Sequence, residues 1–452
     1  MGDGSPRCIK KKKREESFGV SKELQVIIVG LGSAGDVHPN VGLALALRER
    51  GHRVLLIAAS VFRPLAERTG LEFVGIGTDE EHYATLRDPD LWHPFRSFPV
   101  VARRLIVPSV RPVYETIQKR MEASRTVVAA PGLAFGARIA HEKLGVPLAT
   151  VHLQPIMLRS AIAPGCFGFP DILRVLPRAL RKLYYRAADR YLIDPLLAEE
   201  TNAFRAELGL PPVRRFFDGW IHSPQLVIGL FPDWFAPPPP DWPPHVALTG
   251  FPLWDEGEVW EPSAEMEGFL AAGDAPIVFT AGSAMMHASD FFRVATEVCR
   301  MSGRRGLLLT KFPEQLPSLL PAEVRHFDYV PFSALLPRAA AFVHHGGIGT
   351  TAQALAAGVP QLVVPAAHDQ PDNAVRIRSL GVGDFLTPKS FHTKNVLECL
   401  DRLAAPGVQE NCRRRAQEIA RQKPLESACR LIEDLAAGHI AIRDSAAALS
   451  PA

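Results

Sequence analysis

Three features of this chain predict an α/β protein built from two doubly wound parallel-sheet domains that face each other across a cleft. Short β-rich apolar runs alternate with helical stretches from Leu24 onward, the pattern of strands whose crossover helices cover both faces of a sheet. The alternation occurs twice, before and after a proline-dense stretch, Phe231 to Pro262, that contains Pro237 to Pro240, Pro243 and Pro244. Proline cannot donate to a ladder and breaks helices, so this stretch reads as extended connector and domain boundary. Finally, 452 residues are too many for one ordinary core. The expected divisions are a basic tail at 1–22, a first domain at 23–250, a linker at 251–273, a second domain at 274–435 and a frayed tail at 436–452.

In the first half, Leu24 to Val29 is a strand followed directly by GLGSAGDVHP, Gly30 to Pro39. Val41 to Arg50 reads as a helix stopped at Gly51, and Arg53 to Ala59 as the next strand. Gly30, Gly32 and Gly35 have the spacing of a dinucleotide fingerprint, but that site needs an acidic residue at the end of the second strand. Here the strand ends Ile57-Ala58-Ala59-Ser60. Asp36, beside the helix start, would also repel a pyrophosphate. Two roles fit Asp36: a helix cap, or a general base on a strand-to-helix loop facing a cleft. His38 is a weaker candidate for the same proton.

From Thr78 to Val110 the chain reads as irregular, with Trp92, Phe95 and Phe98 among prolines and arginines. These aromatics either line an apolar pocket or pin loops to the core. Asp88-Pro89-Asp90 has the spacing of a metal-binding pair, yet it follows no strand and contains proline, so it reads as a turn. Strands are expected at Thr126 to Ala130, Pro147 to His152 and Gln225 to Leu230, with a helix at Gly136 to Leu144. Ile156 to Phe169, which includes Phe167, suits a loop or a greasy wall. Leu176 to Leu208 reads as long helices whose arginines form a solvated face.

In the second half, Pro276 to Thr280 ends in the turn Ala281-Gly282-Ser283, and Phe327 to Val330 ends in Tyr329-Val330-Pro331. The most informative stretch runs from Phe342 to Ala374. A strand leads into His344-His345, then Gly346, Gly347 and Gly349, then Thr350 and Thr351. A short helix, a second strand and the polar cluster His368, Asp369, Gln370, Asp372 and Asn373 follow. A helix N-terminus leaves N–H groups free and carries partial positive charge, and glycines let an anion approach. The turn therefore reads as a phosphate cradle, and the polar cluster as a site for a ligand's hydroxyls. Both belong at the carboxyl edge of a parallel sheet. The tail, Lys394 to Leu435, is expected to be helical.

Composition narrows the partners. With 47% hydrophobic and 22% charged residues and a net charge of +3, the chain has no nucleic-acid signature. Its six cysteines (Cys8, Cys166, Cys299, Cys399, Cys412, Cys429) form no Cys-x-x-Cys pair, which suits a reducing cytoplasm and offers no metal site. No apolar run reaches the ~18 residues of a membrane span, and no signal peptide is evident. The basic run Lys10 to Arg14 reads as a solvated tail that could also touch anionic lipid.

Tyr329-Val330-Pro331 followed by Leu335-Leu336-Pro337, then VHHGGIGT, then DQPDNA, resembles the donor signature of family 1 glycosyltransferases of the GT-B fold, which has two Rossmann-like domains. GSAGDVHPNVGLALALRERGH resembles that family's opening. Within the family, DPDLWHP, HSPQLVIGLFPDWFAPP and AGVPQLVVPAAHDQPDNA look like the rhamnosyltransferases of rhamnolipid biosynthesis. The resemblance implies an inverting, metal-independent hexosyltransferase that takes a nucleotide sugar as co-substrate and no other cofactor. The implied reaction moves L-rhamnose from dTDP-rhamnose to a 3-(3-hydroxyalkanoyloxy)alkanoate. The alternative is UDP-glucose-dependent transfer to a sterol, polyketide or other lipophilic aglycone. His345, Gly347, Gly349, Thr350 and Thr351 would then meet the diphosphate, Gly282 and Ser283 lie near it, and Tyr329, Val330 and Pro331 surround the base. Asp369 and Gln370 would hold the sugar. Asp36 stands where many family members carry a catalytic histidine. Trp92, Phe95, Phe98 and Phe167 are the expected acceptor wall. The expected location is the cytoplasm, with contact at the inner face of the membrane if the acceptor is a lipid.

Overall fold

The computed structural model describes residues 23–258 and 260–439 and contains two all-parallel sheets. The tails at 1–22 and 440–452 lie outside the described residues. The first sheet comprises β1 (Gln25–Val29), β2 (Arg53–Ala59), β3 (Glu72–Ile76), β4 (Thr126–Ala130), β5 (Leu148–His152), β6 (Leu226–Gly229) and β7 (Val246–Leu248), in the order β3-β2-β1-β4-β5-β6-β7. The second comprises β8 (Ile277–Thr280), β9 (Gly306–Leu309), β10 (Val324–Phe327), β11 (Ala341–His344), β12 (Gln361–Val363) and β13 (Gly383–Phe385), in the order β10-β9-β8-β11-β12-β13. Central strands are buried throughout and mostly apolar because helices cover both faces: all five residues of β4 and of β5 are buried. This is the expected α/β architecture.

In each sheet the strand order reverses once, between β1 and β4 and between β8 and β11. Such switch points open a crevice at the carboxyl ends of the strands. The helix Ala34–Glu49 starts at the first switch point, and the glycine-turn helix Ile348–Ala357 starts at the second. The two helix starts meet: a Cβ on Gly349 would lie 3.8 Å from the Gly35 carbonyl oxygen. One buried apolar cluster runs from Val26, Val41 and Leu47 through Phe235 and Phe251 to Ile348, Leu355 and Ile377, so the two halves share packing.

Four segments differ from the sequence expectation. The first helix begins at Ala34, seven residues early, because Ser33 and Asp36 supply a start that the glycines obscure. Thr78 to Val110 is largely helical, with Asp79–Leu86, Ser97–Val101 and the start of Val107–Arg120. Pro89, Pro99 and Pro108 sit in first turns, where the missing N–H costs no helical bond, and Pro94 lies in the turn before Ser97. The proline-rich connector contains β7, an edge strand that extends the first sheet. Finally, the last helix, Pro424–Ala436, returns to the first half, where Glu433 accepts from Arg50 at 2.6 Å and faces His52 at 2.9 Å. Sequence order had grouped 424–435 with the second domain.

Candidate active site

The chain leaves β1 at Val29 and turns through Gly30 to Ser33. Gly32 has φ 127°, and a Cβ there would fall on the Asp36 carboxylate, so only glycine allows this fold-back. Asp36 accepts the Ser33 N–H at 2.9 Å and the Ser33 hydroxyl at 3.3 Å on one oxygen, and the Gln154 amide at 3.3 Å on the other. The carboxylate therefore caps the helix and also borders the cleft. Burial raises its pKa above the ordinary value, opposed by the Ser33 and Gln154 hydrogen bonds. His38, two residues on, packs edge-to-face on Trp254 with ring centroids 5.6 Å apart. Burial lowers its pKa, against the charge of Glu256 and with that of Lys311.

Across the cleft, Gly282 takes φ 98° and leaves room for the His345 ring, whose Cε1 would lie 2.8 Å from a Cβ on that glycine. His345 has a buried Nδ1 with no partner among the described residues. Burial drops its pKa to about 4, so it is a neutral imidazole at pH 7. His344 is wholly buried instead. Its Nδ1 accepts the Gly346 N–H at 3.0 Å and its Nε2 donates to Gln361 Oε1 at 3.0 Å, which pins the glycine turn. Gly347 offers no side-chain cap to the helix that follows. The Asp369 carboxylate accepts the Ile348 N–H at 3.1 Å and the Asn373 amide at 2.7 Å. Burial, then repulsion from Asp36 across the cleft, raises Asp369 to about 7 against those hydrogen bonds. Gln370 accepts the Ala366 N–H at 2.8 Å and so fixes the loop before its own helix.

One cavity of about 1140 Å³ joins these groups. Asp36, His38, Gly282, Ser283, Tyr329, Val330, His345, Gly347, Gly349, Thr350, Asp369 and Gln370 line its polar end. Phe95, Phe98 and Phe167 line its apolar end, with Phe95 82% exposed, while Trp92 lines the cavity beside the polar cluster, edge-to-face on His368 with ring centroids 5.4 Å apart. Two expected residues stand back. Thr351 is wholly buried on the inner side of its helix, with a hydroxyl that meets no partner among the described residues. Pro331 precedes the short helix Phe332–Leu335, and Phe332 takes the cavity position. Asp88 caps the 3₁₀ turn Pro89–Trp92, as a turn reading requires.

Sequence reasoning missed Gln154, Lys311, Trp254 and the buried pair His152 and His222, whose rings hydrogen-bond at 3.0 Å. Gln154 lies just past β5 and Lys311 just past β9, both on the cavity wall. Position beyond a strand's carboxyl end was the available signal.

Residues 26–162 match the family described as glycosyltransferase family 28 N-terminal domain. Residues 308–434 match the family described as erythromycin biosynthesis protein CIII-like, C-terminal domain. The O-mycaminosyltylonolide 6-deoxyallosyltransferase of Streptomyces fradiae is 31% identical over 436 residues, covering 91% of this chain and 98% of its own. The chain belongs to the family 1 glycosyltransferases of the GT-B fold. This glycosyltransferase shares its fold with the kitacinnamycin glycotransferase at TM-score 0.71 and 20% identity, over 92% of this chain and 99% of that one. The spinosyn rhamnosyltransferase SpnG complexed with thymidine diphosphate aligns at TM-score 0.65 and 18% identity, over 91% of this chain and 100% of that one. Enzymes of this family use nucleotide-sugar donors, and so does this glycosyltransferase. Among its described residues no helix is long and apolar enough to cross a membrane.

Proposed function

We propose that this glycosyltransferase moves L-rhamnose from dTDP-rhamnose to the free hydroxyl of a 3-(3-hydroxyalkanoyloxy)alkanoate, with inversion at the anomeric carbon. The observation that carries the reading is the continuity of one cavity between a polar end at two helix starts and a long apolar end. In the proposed step the acceptor oxygen attacks the anomeric carbon and its proton passes to Asp36. The carbon–oxygen bond to the diphosphate breaks, and the electron pair leaves with dTDP. The free N–H groups at Gly349 and Thr350 and the imidazole of His345 take up that charge. Asp369 and Gln370 hold the sugar hydroxyls, while Tyr329 and Val330 border the base. Burial raises the pKa of Asp36 above the ordinary carboxylate value, which makes it a stronger base than an exposed aspartate.

Two further observations support the donor and acceptor. A 6-deoxyhexose is in the name of the 31% identical relative, and thymidine diphosphate is in that of a structural neighbour. The cavity wall also includes Arg103, whose guanidinium would pair with an acceptor carboxylate. Thermal shifts with dTDP-rhamnose, dTDP-glucose and UDP-glucose, followed by turnover with a hydroxy-fatty-acid dimer, test the reading. dTDP-rhamnose should stabilise most and yield a rhamnosylated lipid. Stabilisation by UDP-glucose alone, with glucosylation of a sterol or polyketide, would replace it.

A further inference from the structure

The helix Arg178–Ala188 has no buried residue, although it carries a pronounced apolar stripe. It continues through a π-turn, Asp189–Ile193, into Asp194–Glu207. Leu180, Leu183 and Tyr184, at helical spacings of three and four, share one face and are 48%, 61% and 47% exposed. Ile172, Val175, Tyr191 and Leu192 extend the patch, so the segment 172–192 holds seven of the thirteen exposed large apolar side chains among the described residues. A surface patch of that continuity marks an interaction site.

The exposure is held in place. Arg181 donates to the carbonyls of Ala161, Ile162 and Arg174 at 3.0, 3.1 and 2.9 Å, and the Tyr185 hydroxyl donates to Ser160 O at 3.3 Å. The inner edge of the helix is thus tied down by polar bonds while the apolar face points outward. Arg178, Lys182 and Arg186, at four-residue steps, form a basic flank. Segment 172–192 contains six basic residues against one acidic residue, Asp189, which is 1% exposed and paired with Arg159 at 2.6 Å. Tyr184, Leu192 and Ile172 also line the apolar end of the cavity, so patch and cavity are one surface.

We propose that segment 172–192 docks on an anionic lipid surface, with Leu180, Leu183 and Tyr191 in the headgroup–acyl boundary and the basic flank on the headgroups, so that the cavity opens into the membrane. An amphipathic helix with leucines on one face and arginines on the other has this physics. Charge complementarity selects the occupant: a second copy of the chain would bring a like-charged flank to the same face. The inference concerns a partner of the lipophilic end of the cavity and does not depend on which sugar is moved.

Flotation of the full chain, without donor or acceptor, on vesicles of phosphatidylcholine and of phosphatidylcholine mixed with phosphatidylglycerol is the test. Wild type should float with the mixed vesicles and lose binding as salt rises. The variant Leu180→Asn/Leu183→Asn should partition about tenfold more weakly. It leaves every charge in place, including Lys10 to Arg14, so that loss belongs to the apolar face. Arg178→Glu/Lys182→Glu should abolish the preference for phosphatidylglycerol. Both variants should retain the wild-type thermal shift with nucleotide sugar, which separates this proposal from the proposed reaction. Wild type that stays unbound at low salt, or a leucine variant that floats like wild type, would overturn the docking surface. So would sedimentation showing that the leucine variant splits a dimer, or an acidic protein partner binding the patch while vesicles do not.

Discussion

The two ends of the cavity are built on different principles. At the polar end, the wall residues sit on the turns and helix starts that follow strands and are pinned by named bonds: Asp36 by Ser33 and Gln154, Asp369 by Ile348 and Asn373, the glycine turn by His344. At the apolar end, Phe98, Phe167, Tyr184 and Leu192 come from helices and loops inserted between β3 and β4 and between β5 and β6. Hydrogen bonds are directional, so a diphosphate or a sugar must be met by groups at set positions. Apolar contact is proportional to area and indifferent to orientation, so many side chains serve equally. The first end therefore carries a readable motif, and the second only a composition.

Substitutions at the two ends should part along the same line. Asp36→Asn keeps an oxygen for the Ser33 N–H but removes the proposed base, and kcat should fall about 10²- to 10⁴-fold with donor binding retained. Near-wild-type turnover in that variant removes Asp36 as the base. His345→Ala takes away the proposed donor to the leaving group, and kcat should fall about 10²-fold with acceptor KM unchanged; a change confined to KM would assign the ring to ground-state binding. Phe98→Ala, which strips an edge-to-face partner from Phe217 with centroids 5.8 Å apart, should raise acceptor KM roughly tenfold with kcat preserved. A kcat loss there would make the apolar end part of the chemistry.

The smallest effect should be a pH slope. Asp369 holds its proton to about 7 in the folded protein, against an ordinary value of 3.8. Between those values the folded state binds more protons than the unfolded chain, so this group's contribution to stability is full below about 4 and is lost as pH rises through 7. Asp369→Asn should flatten that part of the profile, raising Tm relative to wild type at pH 8 more than at pH 5. Equal shifts at the two pH values would show that Asp369 is not raised in the folded protein, by burial or by Asp36.

Local signals described much of the scaffold. The apolar run Arg53 to Ala59 is β2, and Thr126 to Ala130 is β4, because a strand buried on both faces writes itself as an unbroken run. Short-range chemistry also announced the glycine turn and its polar cluster, since each needs particular residue types at particular spacings. Prolines in Thr78 to Val110 misled because their meaning depends on helix position: in a first turn proline removes an N–H that has no partner anyway. Segment 172–192 was equally opaque. Its arginines read as a solvated face, and only the folded chain shows that the leucines opposite them are uncovered too.

The chain's periodicity and turn chemistry were enough to specify two parallel sheets, a connector rich in proline and a glycine turn at a helix start, because each arises from residues that are neighbours in sequence. That Asp36 faces Asp369, that Gln154 holds the first of them, that the last helix crosses back to Arg50 and His52, and that the greasy end of the cavity opens onto an apolar surface were decided by tertiary structure alone. These are contacts between groups far apart along the chain, set by how two sheets pack, and no local preference encodes them.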